Sequence, residues 1–393
     1  MLNLPKNIYI IALVMSLSFA AISMMVLIAG LLGSSLSDNP KLATLPLAMM
    51  TVGTAISTIP AAMIMQKFGR KKGIYIGLGI AIFGLILGFF SATQKQFWLF
   101  IIASIFIGSN AAFIQQGRFI IMENATNARQ VADSLTLGLL ANLLAAILGP
   151  AIGSYGRDAL SHNAAYAGSF LLAIGTLAMA SFFLTFYRDL PITNTPNKPS
   201  NRPIIPIITQ PMFIFIAGSA AIGYAVMAFV MTATPISMHE MNGHELGHTR
   251  FVIQSHIVAM FLPSLLSGYL LKRGFNKSLI VIGLCLYIIV CAISYADQSI
   301  MHYWWALVFL GIGWNFIFMA STTMLPNTYS EDERFKAQAA NDFSVFSFQS
   351  IAALAAGWVL FNLEWQGVIW IALFTSTAWL ICMSLLNKAK TSP

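Results

Sequence analysis

Ala62-Met-Ile-Met-Gln66-Lys67-Phe68-Gly69-Arg70-Lys71-Lys72 is a tight basic turn set between two apolar runs. A second basic turn, Gly268-Tyr-Leu-Leu-Lys272-Arg273-Gly274-Phe275-Asn276-Lys277, stands 206 residues further on, again between apolar runs. Cations gathered in short turns between segments that hold almost none are the pattern of membrane hairpins whose turns face the cytoplasm. The composition agrees: 58% of the 393 residues are hydrophobic, 9% are charged and mean hydropathy is +0.78, too little charge to cover a soluble globule.

Apolar stretches of about 20 residues, the length that crosses a hydrocarbon core, recur along the chain. Twelve can be counted, at 8–33, 42–65, 73–92, 97–120, 134–155, 165–187, 210–236, 249–271, 278–296, 303–325, 342–361 and 367–386. The first is too long for a signal-peptide core and is expected to be retained. An even count puts both termini on one side. Placing them in the cytoplasm leaves only Lys41, Lys95, Arg157 and Arg250 of the 21 Lys and Arg outside. The net charge of +8 is thus a topology signal and implies no nucleic-acid partner. The partners expected are the lipid bilayer and a small transported species, with the protein acting as a monomer.

The basic turns belong to a longer repeat. Gly108-Ser-Asn110-Ala-Ala-Phe113, with Arg129 sixteen residues on, is echoed by Gly313-Trp-Asn315-Phe-Ile-Phe318, with Arg334 sixteen residues on. Residues 1–187 and 210–393 therefore read as two six-helix halves. Between them, residues 188–209 hold Pro191, Pro196, Pro199, Pro203 and Pro206 among polar residues and read as an extended cytoplasmic linker.

The first turn resembles the signature of the major facilitator superfamily, a Gly, three residues, then Asp-Arg-x-Gly-Arg-Lys. Phe68-Gly69-Arg70-Lys71 is kept, while Ala62, Gln66 and Lys67 stand for the first Gly, the Asp and the first Arg. The resemblance implies an all-α polytopic fold of twelve transmembrane helices whose halves rock about a midplane site. It also implies that Gly69, Arg70, Lys71, Gly268 and Arg273 belong to the turns that govern the conformational change. In that family the acidic position helps lock one conformation, and here Gln66 holds it.

Candidate ligands cluster on spans 7 and 8. Met227 and Met231 stand at i and i+4, as do His256 and Met260, so each pair shares one helix face. These are the only Met-x-x-x-Met and His-x-x-x-Met in the chain. An antiparallel hairpin with helix ends near Pro235 and Thr249 would put Met231 and His256 within about 10 Å of one membrane surface, with the other pair one turn deeper. Thioethers with neutral imidazole suit Cu(I). The same residues also serve as core filler and as a hydrogen-bonded interior His. The intervening loop carries His239, His244 and His248 with two Met and two Glu, either a metal-capture loop or a solvated turn. The 206-residue shift maps Met25 onto Met231 and Met50 onto His256, a possible second thioether layer beside Met24 and Met49.

With Thr232-Ala-Thr-Pro235 and Phe261-Leu-Pro263-Ser264, these motifs resemble the CcoA-like bacterial copper importers, which implies copper binding by Met227, Met231, His256 and Met260. The expectation is copper import, as Cu(I), across the bacterial inner membrane, with copper as cargo and no cofactor. The alternative is an importer of an organic solute such as riboflavin or a siderophore, with Met and aromatic residues lining an apolar pocket. Third comes an exporter, suggested by Leu148-Gly149-Pro150-Ala-Ile-Gly153, where close helix packing is the other reading. No nucleophile, base and oxyanion set points to an enzyme. Cys285, Cys291 and Cys382 read as small apolar residues. Arg118 and Glu123, at the cytoplasmic end of span 4 with Asn110, Gln115 and Gln116, suit either proton coupling or pairing at the water interface.

Overall fold

The structure is a computed structural model that describes residues 4–39, 42–157, 159–160, 166–189 and 203–388. Lys41, His162 and the linker prolines Pro191, Pro196 and Pro199 lie outside the described residues, as does the side chain of Arg129. All regular structure among the described residues is helical, and the chain divides into two compact units, Met1–Thr193 and Asn194–Pro393.

The first unit contains α1 (Lys6–Leu36), α2 (Leu45–Phe68), α3 (Arg70–Gln94), α4 (Phe97–Gln115), α5 (Gly117–Glu123), α6 (Ala128–Gly156) and α7 (Ala167–Leu184). The span expected at 97–120 is thus two helices, broken at Gln116. α1 runs along α6 and α7, while α2 and α3 pack on α4. Small residues permit the closest of these approaches. A Cβ at Gly149 would lie 2.5 Å from the Ser23 side chain and 2.7 Å from the Met24 amide nitrogen, so the Gly-Pro stretch of α6 brings α1 against it.

The basic turn is held by named contacts. Gly69 separates α2 from α3 with φ 89° and ψ 162°, a region essentially closed to other residues. Arg70 forks onto both oxygens of Glu123 at the end of α5 and donates to Gln116 Oε1 at 3.1 Å. Lys71 donates through Nζ to the carbonyls of Thr185 and Tyr187, and its amide donates to Asp189 Oδ1 at 3.1 Å. Gln66 leaves α3 without the signature carboxylate, and Asp189 brings one to the first turn of that helix from beyond α7.

The second unit contains α8 (Ile205–Ile208), α9 (Pro211–Ile236), a π turn (Ser237–Met241), α10 (Leu246–Phe261), α11 (Ser264–Lys272), α12 (Asn276–Ala296), α13 (Ile300–Met324), a 3-10 turn (Leu325–Thr328) and α14 (Arg334–Lys388). Four expectations are corrected here. Ile205–Ile208 is a helical turn inside the stretch read as extended. The span at 249–271 breaks at Pro263, whose missing N–H interrupts the ladder. α14 is continuous by hydrogen bonding but broken at Glu364 (φ 57°, ψ −174°), and its two arms account for the last two of the twelve spans. In the second basic turn the residue with positive φ is Gly274 (84°), whereas Gly268 is buried inside α11 and Arg273 lies over the Tyr269 ring at 4.4 Å.

Candidate functional site

The loop between α9 and α10 is shorter than the sequence suggests. Pro235 does not end α9; it removes the donor that the Met231 carbonyl would receive in an unbroken helix, and the chain continues through the π turn to Met241. α10 then begins at Leu246. Met231 stands ten residues before Met241 and His256 ten after Leu246, so this pair lies about 15 Å from the loop, deeper than the expected 10 Å. Met227 and Met260 are each four residues deeper, and the two layers stay matched.

The helices that carry these layers do not pack along one another among the described residues. α9 packs on α13 and α14, and α10 packs on α13. The expected side-by-side hairpin is therefore splayed, with α13 as the shared support. His256, Met227 and Met260 are buried and Met231 half-buried.

α13 fixes the imidazole. His256 Nδ1 lies 2.7 Å from the Leu307 carbonyl, which can only accept, so Nδ1 carries the proton. Nε2 is left with its lone pair, buried and without a partner among the described residues. One turn on, a Cβ at Gly311 would lie 2.8 Å from the His256 carbonyl, so glycine is needed for this approach of α10 to α13. Asn315 then ties the end of α10, donating to the Met260 carbonyl and to Ser264 Oγ, each at 2.8 Å, and accepting from Ser267 Oγ at 2.8 Å.

Beside these layers lies a group of rings that sequence reading did not single out. Trp314 stacks on Phe318 with centroids 4.8 Å apart and planes 7° from parallel. Tyr224 sets its edge against Trp314, Phe318 and Phe346 at 5.3, 6.0 and 5.8 Å, and Phe261 meets Trp314 at 6.1 Å. Four helices, α9, α10, α13 and α14, contribute. The available signal was Trp314 and Phe318 at i and i+4, with Tyr224 one turn before Met227.

The other candidates fall elsewhere. His239 Nδ1 donates to the His244 carbonyl and His244 Nε2 to the Gln298 carbonyl, both at 2.8 Å, while His248 is exposed. The first bond closes the loop on itself and the second stitches it to the α12–α13 connection. Among the described residues no three His, Cys, Asp or Glu gather to hold a metal ion. In the first unit Met25 and Met50 are buried, and Met24 packs toward Gly153 of α6. Asn110 is buried against Gly77 of α3. Glu123 pairs with Arg70, and Arg118 lies over the Phe119 ring at 4.6 Å.

The model of the Major Facilitator Superfamily matches residues 8–243 and 220–393. The chain belongs to this superfamily. It is 34% identical to the riboflavin transporter RfnT of Brucella anthropi, over 93% of this chain and 92% of that one. It is 27% identical to the uncharacterized MFS-type transporter YdeG of Bacillus subtilis, over 86% and 81% of the two chains. Solved structures show the same fold. The human organic anion transporter MFSD10 aligns with TM-score 0.77 at 11% identity, covering 97% of this chain and 100% of that one. The Escherichia coli fucose:proton symporter FucP aligns with TM-score 0.71 at 14% identity, covering 98% of each.

Proposed function

We propose that this superfamily member imports a small planar organic solute of the riboflavin type across a bacterial inner membrane, by alternating access and with both termini in the cytoplasm. The observation that carries the proposal is the ring group of Tyr224, Phe261, Trp314, Phe318 and Phe346 on four helices of one unit. A group of this kind gives a flat heteroaromatic guest ring faces and edges to stack on, a gain beyond the area it buries. The 34% identity to a riboflavin transporter along nearly the whole of both chains supports the same cargo. This organic reading takes the place of copper as the leading one.

Copper import is the second reading, and one observation favours it. Met227 and Met231 match Met260 and His256 in depth, and His256 keeps a buried imidazole lone pair able to ligate a soft cation. On this reading Met25 and Met50 would supply a second thioether layer, and His239, His244 and His248 would act before the transport site.

A bacterial strain that can neither make nor take up riboflavin separates the two. Carrying this gene, it is expected to grow on limiting riboflavin with unchanged cell-associated copper by elemental analysis. Copper accumulation without growth rescue would select the second reading.

A further inference from the structure

Of the three buried side-chain nitrogens of the second unit that no described residue bonds, Nε1 of Trp304 belongs to a partly exposed ring, which leaves Nε2 of His256 and Nε1 of Trp314 on buried side chains. They are opposite in kind. The Leu307 carbonyl takes the Nδ1 proton of His256, so Nε2 can only accept, whereas the indole N–H can only donate. His256 is 0% exposed and Trp314 4%. Unused polar groups at such depth are costly, and native interiors hold few of them.

Both groups are set along one stripe of α13, where Leu307, which holds His256 of α10, is followed by Gly311 and Trp314 at i+4 and i+7. Seven residues of helix rise about 10 Å, and helical side chains lean toward the helix N-terminus, which carries the indole back toward Gly311. At Gly311 the backbone of α10 makes its close approach and α13 presents no side chain. Beyond Trp314 stands the stacked ring of Phe318, with the edges of Tyr224 and Phe261 beside it.

We infer that His256 and Trp314 read the polar edge of the substrate. His256 Nε2 accepts from a ring N–H, and Trp314 Nε1–H donates to a ring carbonyl or ring nitrogen, while the neighbouring rings hold the flat body. The substrate class is a fused heteroaromatic bearing an imide edge, an N–H flanked by carbonyls. The inference rests on the organic-solute reading above and narrows it: a solute that only stacks would not need a buried acceptor and a buried donor set along one stripe.

The test pairs a ligand change with a protein change. Vesicles reconstituted with the purified full chain take up radiolabelled riboflavin in competition with unlabelled riboflavin or N3-methylriboflavin, which lacks the imide N–H. The wild type is expected to favour riboflavin about tenfold, the scale of one buried hydrogen bond. His256→Asn is expected to bind both at the weaker level and lose the preference. Trp314→Phe is expected to weaken both while keeping it. An unchanged preference in His256→Asn, or no preference in the wild type, overturns the inference and leaves flavin import standing. A wild type that takes up no flavin overturns the inference and the proposed function together.

Discussion

The imidazole of His256 is anchored by the carbonyl of Leu307, 2.7 Å from Nδ1, with both residues fully buried. The bond orients the ring and leaves Nε2 without a partner among the described residues, a buried polar group that costs stability. Replacing His256 by Leu removes one hydrogen bond and one unpaired buried acceptor, effects of about 1–2 kcal/mol and opposite sign. Uptake is expected to fall at least about tenfold while thermal unfolding in detergent shifts little. A large loss of stability with uptake preserved would show that the ring is a structural residue.

Arg70 and Glu123 close the basic turn onto the end of α5. The guanidinium is nearly buried, with side-chain exposure of 8%, and Glu123 keeps 18%. Removing one member of a buried pair costs about 3–5 kcal/mol, and the partial exposure of Glu123 lowers the expected cost of Arg70→Ala to about 2–3 kcal/mol. Arg70→Lys is expected to recover less than half of it, because an ammonium cannot fork onto two carboxylate oxygens. Denaturation midpoints of the two variants check this ordering.

Gly69 holds φ 89° and ψ 162°, and a Cβ there would also lie 3.2 Å from Asp189 Oδ2. Gly69→Ala is expected to destabilise by about 1–3 kcal/mol. Gly79, which lies inside α3 with nothing within 4 Å of its Cβ position, is the control. Gly79→Ala is expected to be neutral or slightly stabilising. Equal effects at the two positions would contradict the strained turn.

Asp297, in the connection between α12 and α13, has its carboxyl held below the ordinary aspartate value. The amide of Gln298 is the main cause, with Ser299 and the nearby His302 adding to it. A carboxyl depressed in the folded state contributes stability above its unfolded value, and that contribution is lost as pH falls through the folded one. Asp297→Asn is therefore expected to lower stability slightly at neutral pH and to flatten the acid limb, so that variant and wild type converge as pH falls below the folded value. An unchanged acid limb would contradict the assignment.

The twelve spans were legible because each apolar run is long enough to cross a bilayer by itself, whereas 249–271 was read through as one span although Pro263 stands at its break. The break at Gln116 carries no such mark. Pro235 misled because a helix supported on α13 and α14 tolerates an interior proline and continues through a π turn. At the site, the i and i+4 spacing placed Met227 with Met231 and His256 with Met260. The free nitrogen of His256 depends on Leu307, 51 residues away, and the ring group joins residues from Tyr224 to Phe346. Neither relation has a period that a sequence can display. Thioethers suit both a soft cation and an apolar ring, so Met227, Met231 and Met260 point to copper and to a flat organic solute alike.

The central claim is the cargo. Purified protein in sealed vesicles, given radiolabelled riboflavin outside, is predicted to accumulate it with time, saturably, above empty vesicles, and to stop when unlabelled riboflavin is in excess. Vesicles that accumulate copper under the same conditions and leave riboflavin outside would contradict the account.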